Sequence, residues 1–273
     1  VRGRHLMVAS VSGGLSLKEE LHAMAAPFAD VVGWSVSGRE VFLLTHSNDG
    51  SQGEYLLAFD VVSKQMRTVQ RLGSLAFLPP GWRPTGAVSK ILILTSEIPA
   101  PGSSPVTKYV TLTLGVIDTA AERMKIISRT ACFATGDMDS QGQLVAYADC
   151  TRPKHPVLHL ADLATGADRT LGPQGRGGAP VHLSADATQV ALFSCRKTMD
   201  DCAPQIAGRD GRQERFPASG LGSAWRVLDW AGPHGLYLYQ RSAAGPSALR
   251  LALGDLASGD IRILFPPGAE EGL

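Results

Sequence analysis

Five times along this chain of 273 residues, an apolar or aromatic residue leads into a polar turn and then into a short apolar run. The copies are WSVSGREVFLLT from Trp34, WRPTGAVSKILILT from Trp82, MDSQGQLVAYAD from Met138, LSADATQVALFS from Leu183 and WAGPHGLYLYQ from Trp230. In four of them the leading residue stands seven positions before the strand anchor: Trp34 to Val41, Met138 to Val145, Leu183 to Val190 and Trp230 to Tyr237. The second carries two extra residues, reaching Ile91 from Trp82. Anchors at 41, 91, 145, 190 and 237 are spaced by 50, 54, 45 and 47. That is the period of one four-stranded blade of a β-propeller, ~40–50 residues.

A second feature repeats in phase. Asp60, Asp118, Asp162, Asp210 and Asp255 open polar turns in LAFDVVSK, GVIDTAAE, LHLADLATG, IAGRDGRQ and LALGDLASG. Aspartate starts such turns because its carboxylate accepts hydrogen bonds from backbone N–H groups two residues on. Glycine follows in three copies, where a positive φ is needed. Each unit therefore reads as strand, turn, strand, variable loop, strand, turn, strand. Segments such as EYLLAFD and VLHLADL alternate imperfectly, as sheets buried on both faces do. One blade cannot bury both its faces alone, so five copies imply radial packing. The expected fold class is all-β, a propeller of four-stranded antiparallel blades with five repeats evident and six blades expected. Trp34 and Trp230 are expected to fill space between blades.

The pattern resembles the TolB-like (WD-repeat-like) β-propeller repeat, in which an apolar or aromatic residue, Ser and a turn precede an apolar strand and a DLxxG hairpin. VGWSVSGREVFLLT, VHLSADATQVALFS and VLHLADLATGADRTL carry the resemblance, which covers roughly residues 31 to 266. The copies have SVSG, DSQG and SADA where the repeat favours SPDG. The resemblance implies the propeller fold and an envelope interaction scaffold. We divide the chain into a segment 1–30 and a propeller 31–273. HLMVAS and GLSLKEELHAM are expected to supply strands of a closing blade, since closure removes sheet edges. The alternative is a helix at SLKEELHAMA, with Ser16 as N-cap and Glu19 three residues on.

Composition narrows the partners. With 26 basic and 25 acidic residues the net charge is +1, so nothing draws the whole chain to nucleic acid or an anionic membrane. No apolar run approaches the ~20 residues of a membrane span. The basic start from Val1 lacks the long apolar stretch of a signal peptide and reads as a processed end.

Candidate chemistry is sparse. GWSVSG places Gly33, Ser35 and Gly38 one residue too far apart for a nucleophile elbow. His155 and His159 are four apart, but Pro153 and Pro156 forbid the helix on which that spacing makes a ligand face, and His159 reads as a strand residue. Asp137, Asp139 and Gly142 begin a calcium-loop-like spacing whose twelfth position, Ala148, offers no carboxylate. Gly172 to Pro180 is glycine-rich without a following helix, and reads as a linker. No catalytic residue, metal ligand or cofactor site is assigned.

Cys195 and Cys202 flank a six-residue loop between neighbouring strands, and Cys132 and Cys150 lie on strands that could share a sheet. Four cysteines fit two disulfides and an oxidising compartment; the alternative is four buried thiols. On the repeat alignment, HSNDGSQGE, SEIPAPGSSPVTK, CTRPKHP, CRKTMDDCAP and RSAAGPS are the variable loops of one face. Arg152, Lys154, His155, Arg196 and Lys197 gather there, mixed with Asp200 and Asp201. Rigid sheets carrying variable loops suit recognition. The reading is a non-catalytic module that binds a protein or peptide partner through this face, in a periplasmic or extracytoplasmic compartment, with the cytoplasm as alternative. Competing readings are an enzyme, hydrolase or lyase, with its site in the central channel, and the sensor domain of a longer regulatory protein.

Overall fold

The apolar runs become strands because alternate residues of one strand serve two different cores. In the fourth copy Val190 and Leu192 pack with Ala146, Leu158, Leu160 and Leu171 of the third. Ala191, between them, packs instead with Phe216, Trp225, Val227, Leu236 and Leu238 toward the fifth. A strand covered on both faces needs no polar alternation, and each fully buried Leu side chain contributes about 1.5–3 kcal/mol.

In the computed structural model, the described residues are 6–10, 16–21, 29–45, 53–73, 75–79, 82, 87–96, 112–130, 135–149, 156–173, 180–195, 202–216, 225–241 and 249–265. The first strands are β1 (Leu6–Ser10) and β2 (Ser16–Leu21), an antiparallel pair. Residues 16–21, where the alternative helix would start, are thus strand; 22–25 lie outside the described residues. The first blade has β3 (Ala29–Ser35), β4 (Glu40–Thr45), β5 (Tyr55–Asp60) and β6 (Met66–Arg71). The second has β7 (Ala76–Phe77), β9 (Lys90–Ser96), β10 (Leu112–Asp118) and β11 (Arg123–Thr130), with β8 (Ala87–Val88) between β7 and β9 in sequence. The third runs through β12 (Gly136–Met138), β13 (Leu144–Asp149), β14 (Val157–Asp162) and β15 (Asp168–Pro173). The fourth has β16 (Val181–Leu183), β17 (Gln189–Cys195), β18 (Cys202–Gly208) and β19 (Gln213–Arg215). The fifth has β20 (Trp225–Trp230), β21 (Gly235–Arg241), β22 (Leu249–Asp255) and β23 (Ile261–Phe265). All five blades are four-stranded antiparallel sheets ordered by sequence, the first joined on its inner side by β8.

The chain divides into two compact units, residues 1–77 with 84–126, and residues 78–83 with 127–273. The first holds β1 to β10 and the start of β11; the second holds the third, fourth and fifth blades.

Register confirms three leading residues opposite their anchors: Trp34 with Val41, Met138 with Val145 and Leu183 with Val190. The fifth copy differs. Its turn is one residue shorter: the Ala231 N–H bonds the Gly235 carbonyl, whereas Asp139 and Ser184 bond the carbonyls of Leu144 and Gln189, one position further on, so Trp230 faces the fully buried Leu236 while Tyr237 is 39% exposed. The anchor there is Leu236; the bulge between Val227 and Asp229 has a counterpart between Val31 and Gly33 in the first blade, where Trp34 still faces Val41. The second copy also differs. Its inner strand is only Ala76–Phe77, paired with Thr95 and Leu94, and Trp82 lies beyond it. Within the long connection that follows, Ala87 and Val88 pair in parallel with Trp34 and Ser35 of the first blade.

The aspartate turns form as expected. Asp60 Oδ1 accepts from the backbone N–H of Val62 and Ser63, Asp118 from Ala120 and Ala121, and Asp162 from Ala164 and Thr165. Asp255 accepts from Ala257 and Ser258, and Asp210 from Arg212. These donors hold the carboxyls of Asp60, Asp162 and Asp255 below the usual carboxylate range. The fourth residue after the aspartate has positive φ in four copies: Gly166 and Gly259, but also Lys64 at 60° and Glu122 at 53°.

The outermost strands are solvated and cationic. β6 contains Arg67 and Arg71, β11 Arg123 and Arg129, β15 Arg169, and β23 Arg262, all exposed except for the partly covered stem of Arg67. Arg67 pairs with Glu40 at 2.9 Å and also meets Glu122.

Candidate functional site

The two ends of the blades differ in construction. At one end, apart from the 78–89 connection of the second blade, the turns are short and satisfy themselves. Between the first and second strands of a blade, Ser35 Oγ accepts the N–H of Glu40 at 2.9 Å and Ser184 Oγ that of Gln189 at 3.0 Å. Asp139 Oδ1 takes the N–H groups of Gln143 and Leu144 in the same way. Ser35 also shares a 3.0 Å hydrogen bond with Ser37. Its hydroxyl is thus employed in closing a turn, which accounts for the GWSVSG motif without a nucleophile.

At the opposite end run the connections between second and third strands: residues 46–54, 97–111, 150–156, 196–201 and 242–248. They differ in length and composition, as the alignment expected. Arg152, Lys154, His155, Arg196 and Lys197 fall in two of them, outside the described residues; Cys150 falls in the first of these two, and Cys132 in the connection from the second blade to the third, both also outside the described residues. Cys195 and Cys202 are described in backbone, and the ladder sets them directly opposite each other at the mouth of the 196–201 connection.

A group that sequence reading missed lies on the inner strands of the second unit. The position just before each leading residue is Gly33, Gly81, Asp137, His182 and Asp229, so three consecutive blades carry a titratable side chain where two have glycine. Asp137 is buried, and both its oxygens are occupied. Oδ1 accepts the N–H of Met138 at 2.8 Å, and Oδ2 that of Leu183 on the next blade at 2.7 Å. Burial pushes its carboxyl up to about 7; the two N–H donors oppose this, and the charges of Asp229 and Asp139 add to it. His182 is 5% exposed, and its carbonyl accepts the indole N–H of Trp230 at 2.8 Å. Trp230 therefore does bridge blades, as expected; Trp34 remains 36% exposed. Asp229 accepts the N–H of Trp230 at 2.7 Å. The alignment contained this signal, one column to the left of the residues compared.

His159 is a strand residue on β14, as expected. It stacks on Tyr147 with centroids 5.1 Å apart, and Nδ1 lies 3.2 Å from Asp168 Oδ1. The Tyr147 hydroxyl donates to Asp168 Oδ2 at 2.7 Å, and burial and this bond hold its proton on more firmly than usual. Among the described residues, no three His, Cys, Asp or Glu side chains gather as metal ligands, and no helix is long and apolar enough to cross a membrane.

No protein-family pattern matches this chain, and no curated protein matches it. Solved structures do. TolB from Acinetobacter baumannii is similar over 94% of this chain and 61% of its own, with 13% identity and a TM-score of 0.52. A putative TolB from Agrobacterium tumefaciens is similar over 90% of this chain and 83% of its own, with 15% identity and a TM-score of 0.54. The acylaminoacyl peptidase of Pyrococcus horikoshii matches 95% of this chain with 41% of its own, at 13% identity and a TM-score of 0.61. At such identities the likeness establishes the fold.

Proposed function

Starting from a TolB-like β-propeller fold, we propose that this chain is a binding module that recognises a protein or peptide partner through the end bearing the long connections. The observation that carries the reading is the asymmetry between the two ends. The short turns use their own Asp and Ser side chains to satisfy their own backbone, leaving little polar capacity for a partner. The connections at the other end vary in length from copy to copy on a regular sheet scaffold, the usual division between framework and recognition surface. Asp137, whose pKa would suit acid–base chemistry, supports a structural role instead, because both oxygens are taken by backbone donors.

Within that end, Arg152, Lys154, His155, Arg196 and Lys197 are the proposed contacts, arginine forking onto carboxylates and lysine acting as a mobile charge. Capture of partners from cell-envelope and cytosolic fractions tests this, comparing the native chain with Arg152→Ala/Lys154→Ala/Arg196→Ala. A protein captured by the native chain and lost from the variant is expected, with loss of about tenfold or more in affinity for a charge-assisted contact of about 1.5–3 kcal/mol. Retention of the same partner by the variant moves recognition off this patch.

The extracytoplasmic compartment implied by the fold resemblance makes a disulfide part of the same reading. Directly opposed residues on antiparallel strands have Cα atoms about 4.5–5.5 Å apart, inside the disulfide range. Cys195 and Cys202 hold that position. We expect peptide mapping without reductant to recover them joined, closing the loop that carries Arg196 and Lys197. Alkylation of both thiols in the unreduced native protein would refute the bridge.

A further inference from the structure

We propose that Asp137, a buried carboxyl bonded across the seam between the third and fourth blades, is a proton-sensitive clasp that holds that seam more tightly in acid than in base. The geometry is that of a bridge. One carboxylate oxygen is held by the N–H of Met138 on its own strand, the other by the N–H of Leu183 on β16. Around it lies an apolar seam: Ala146 and Leu160 from the third blade, and Leu183, Val190 and Ala207 from the fourth. Among the described residues, the charges that act on it are carboxylates and not a cation. From its own element the group nearest in sequence is Asp139, and from β20 it feels Asp229, both negative. On β16 the titratable neighbour is His182, whose place in the ladder is opposite Ala191, on the face turned toward the fifth blade. On β13 and β14, Tyr147 and His159 stand opposite each other in the ladder on the face away from Ala146 and Leu160.

Two backbone donors favour the ionised clasp, while burial and two negative neighbours oppose it, and the second group prevails, placing its pKa at about 7. With the seam open, the carboxyl returns toward the ordinary 3.8. The closed seam therefore binds the proton more tightly than the open one. Its stability is greatest below the open-state value, falls as pH rises between the two values, and is lowest above about 7. A surface carboxylate held by donors, such as Asp60, has the opposite sign.

The test is hydrogen exchange at the Leu183 amide, corrected for the intrinsic pH dependence of exchange. Between pH 8 and pH 6 its protection is expected to rise about tenfold in the native chain. In Asp137→Asn the rise should vanish. Asp229→Asn leaves the bridge in place and removes one like charge, so the midpoint of the rise should move to lower pH. Protection that is flat or falls on acidification in the native chain overturns the clasp. So does a rise that survives in Asp137→Asn, or a midpoint unmoved in Asp229→Asn, which keeps the question open to an answer even if the first variant fails to fold.

Discussion

Gly73→Ala is expected to destabilise the protein by roughly 3 kcal/mol or more, lowering its melting temperature by about 6 °C or more. Gly73 sits where the chain leaves the first blade for the second, and its methylene lies against the backbone of Ser96. A β-carbon there would collide with the Ser96 carbonyl oxygen and hydroxyl, and would lie 2.8 Å from the carbonyl carbon. Neither side can withdraw easily. The Gly73 N–H donates to Thr95 Oγ1 and its carbonyl accepts from Glu54, while Ser96 exchanges bonds with Leu75 through both backbone and side chain. Gly38→Ala is the control. It has a φ of 67° with open space at its β-carbon, so it costs only the ~1 kcal/mol of a left-handed alanine. Denaturant melts of the two variants decide the matter. If Gly73→Ala loses no more stability than Gly38→Ala, the close approach to Ser96 is wrong.

The second large effect separates two neighbours. Leu236→Ala should cost about 2–5 kcal/mol, because Leu236 is fully buried in the cluster with Trp225, Val227, Leu238 and Ala252. Tyr237→Ala should cost less than about 1 kcal/mol, since its ring is 39% exposed on the other face of β21. Urea midpoints of the two variants measure the contrast. Equal losses, or a larger loss for Tyr237, would mean that the fifth blade follows the seven-residue spacing of the first, third and fourth copies and that its turn is not one residue shorter.

That contrast also marks the limit of reading the repeat from sequence. Period, blade composition and the aspartate turns were all legible, because each is a local chemical requirement repeated at fixed distance. Asp60, Asp118, Asp162, Asp210 and Asp255 are such a case: a carboxylate that closes its own turn must stand at the turn. The fifth anchor was not legible, since a turn shorter by one residue leaves WAGPHGLYLY readable with either Leu236 or Tyr237 opposite Trp230. Nor was the short inner strand of the second blade, where Trp82 imitates Trp34 and Trp230 in sequence but falls beyond β7. Asp137 is a third kind of case. Its column in the alignment held the information, but only the fold shows that this column meets the next blade's backbone. The loop residues proposed as contacts stand where regular spacing gives way to connections of variable length, a signal of position and not of the partner's chemistry.

The arginines of the outer strands have a consequence at high protein concentration. An all-β chain of this kind ends every blade in a strand whose outward N–H and C=O groups are a template for a neighbouring molecule's edge. Arg67 and Arg71, Arg123 and Arg129, Arg169 and Arg262 interrupt those templates with charges that a second, identical edge would have to bury beside its own. Docking edge to edge would bring guanidinium groups close together on four of the five blades, so residues that look like idle surface decoration disfavour that pairing. Neutralising them one blade at a time would leave the monomer's interior intact while removing its protection against stacking in a crowded solution.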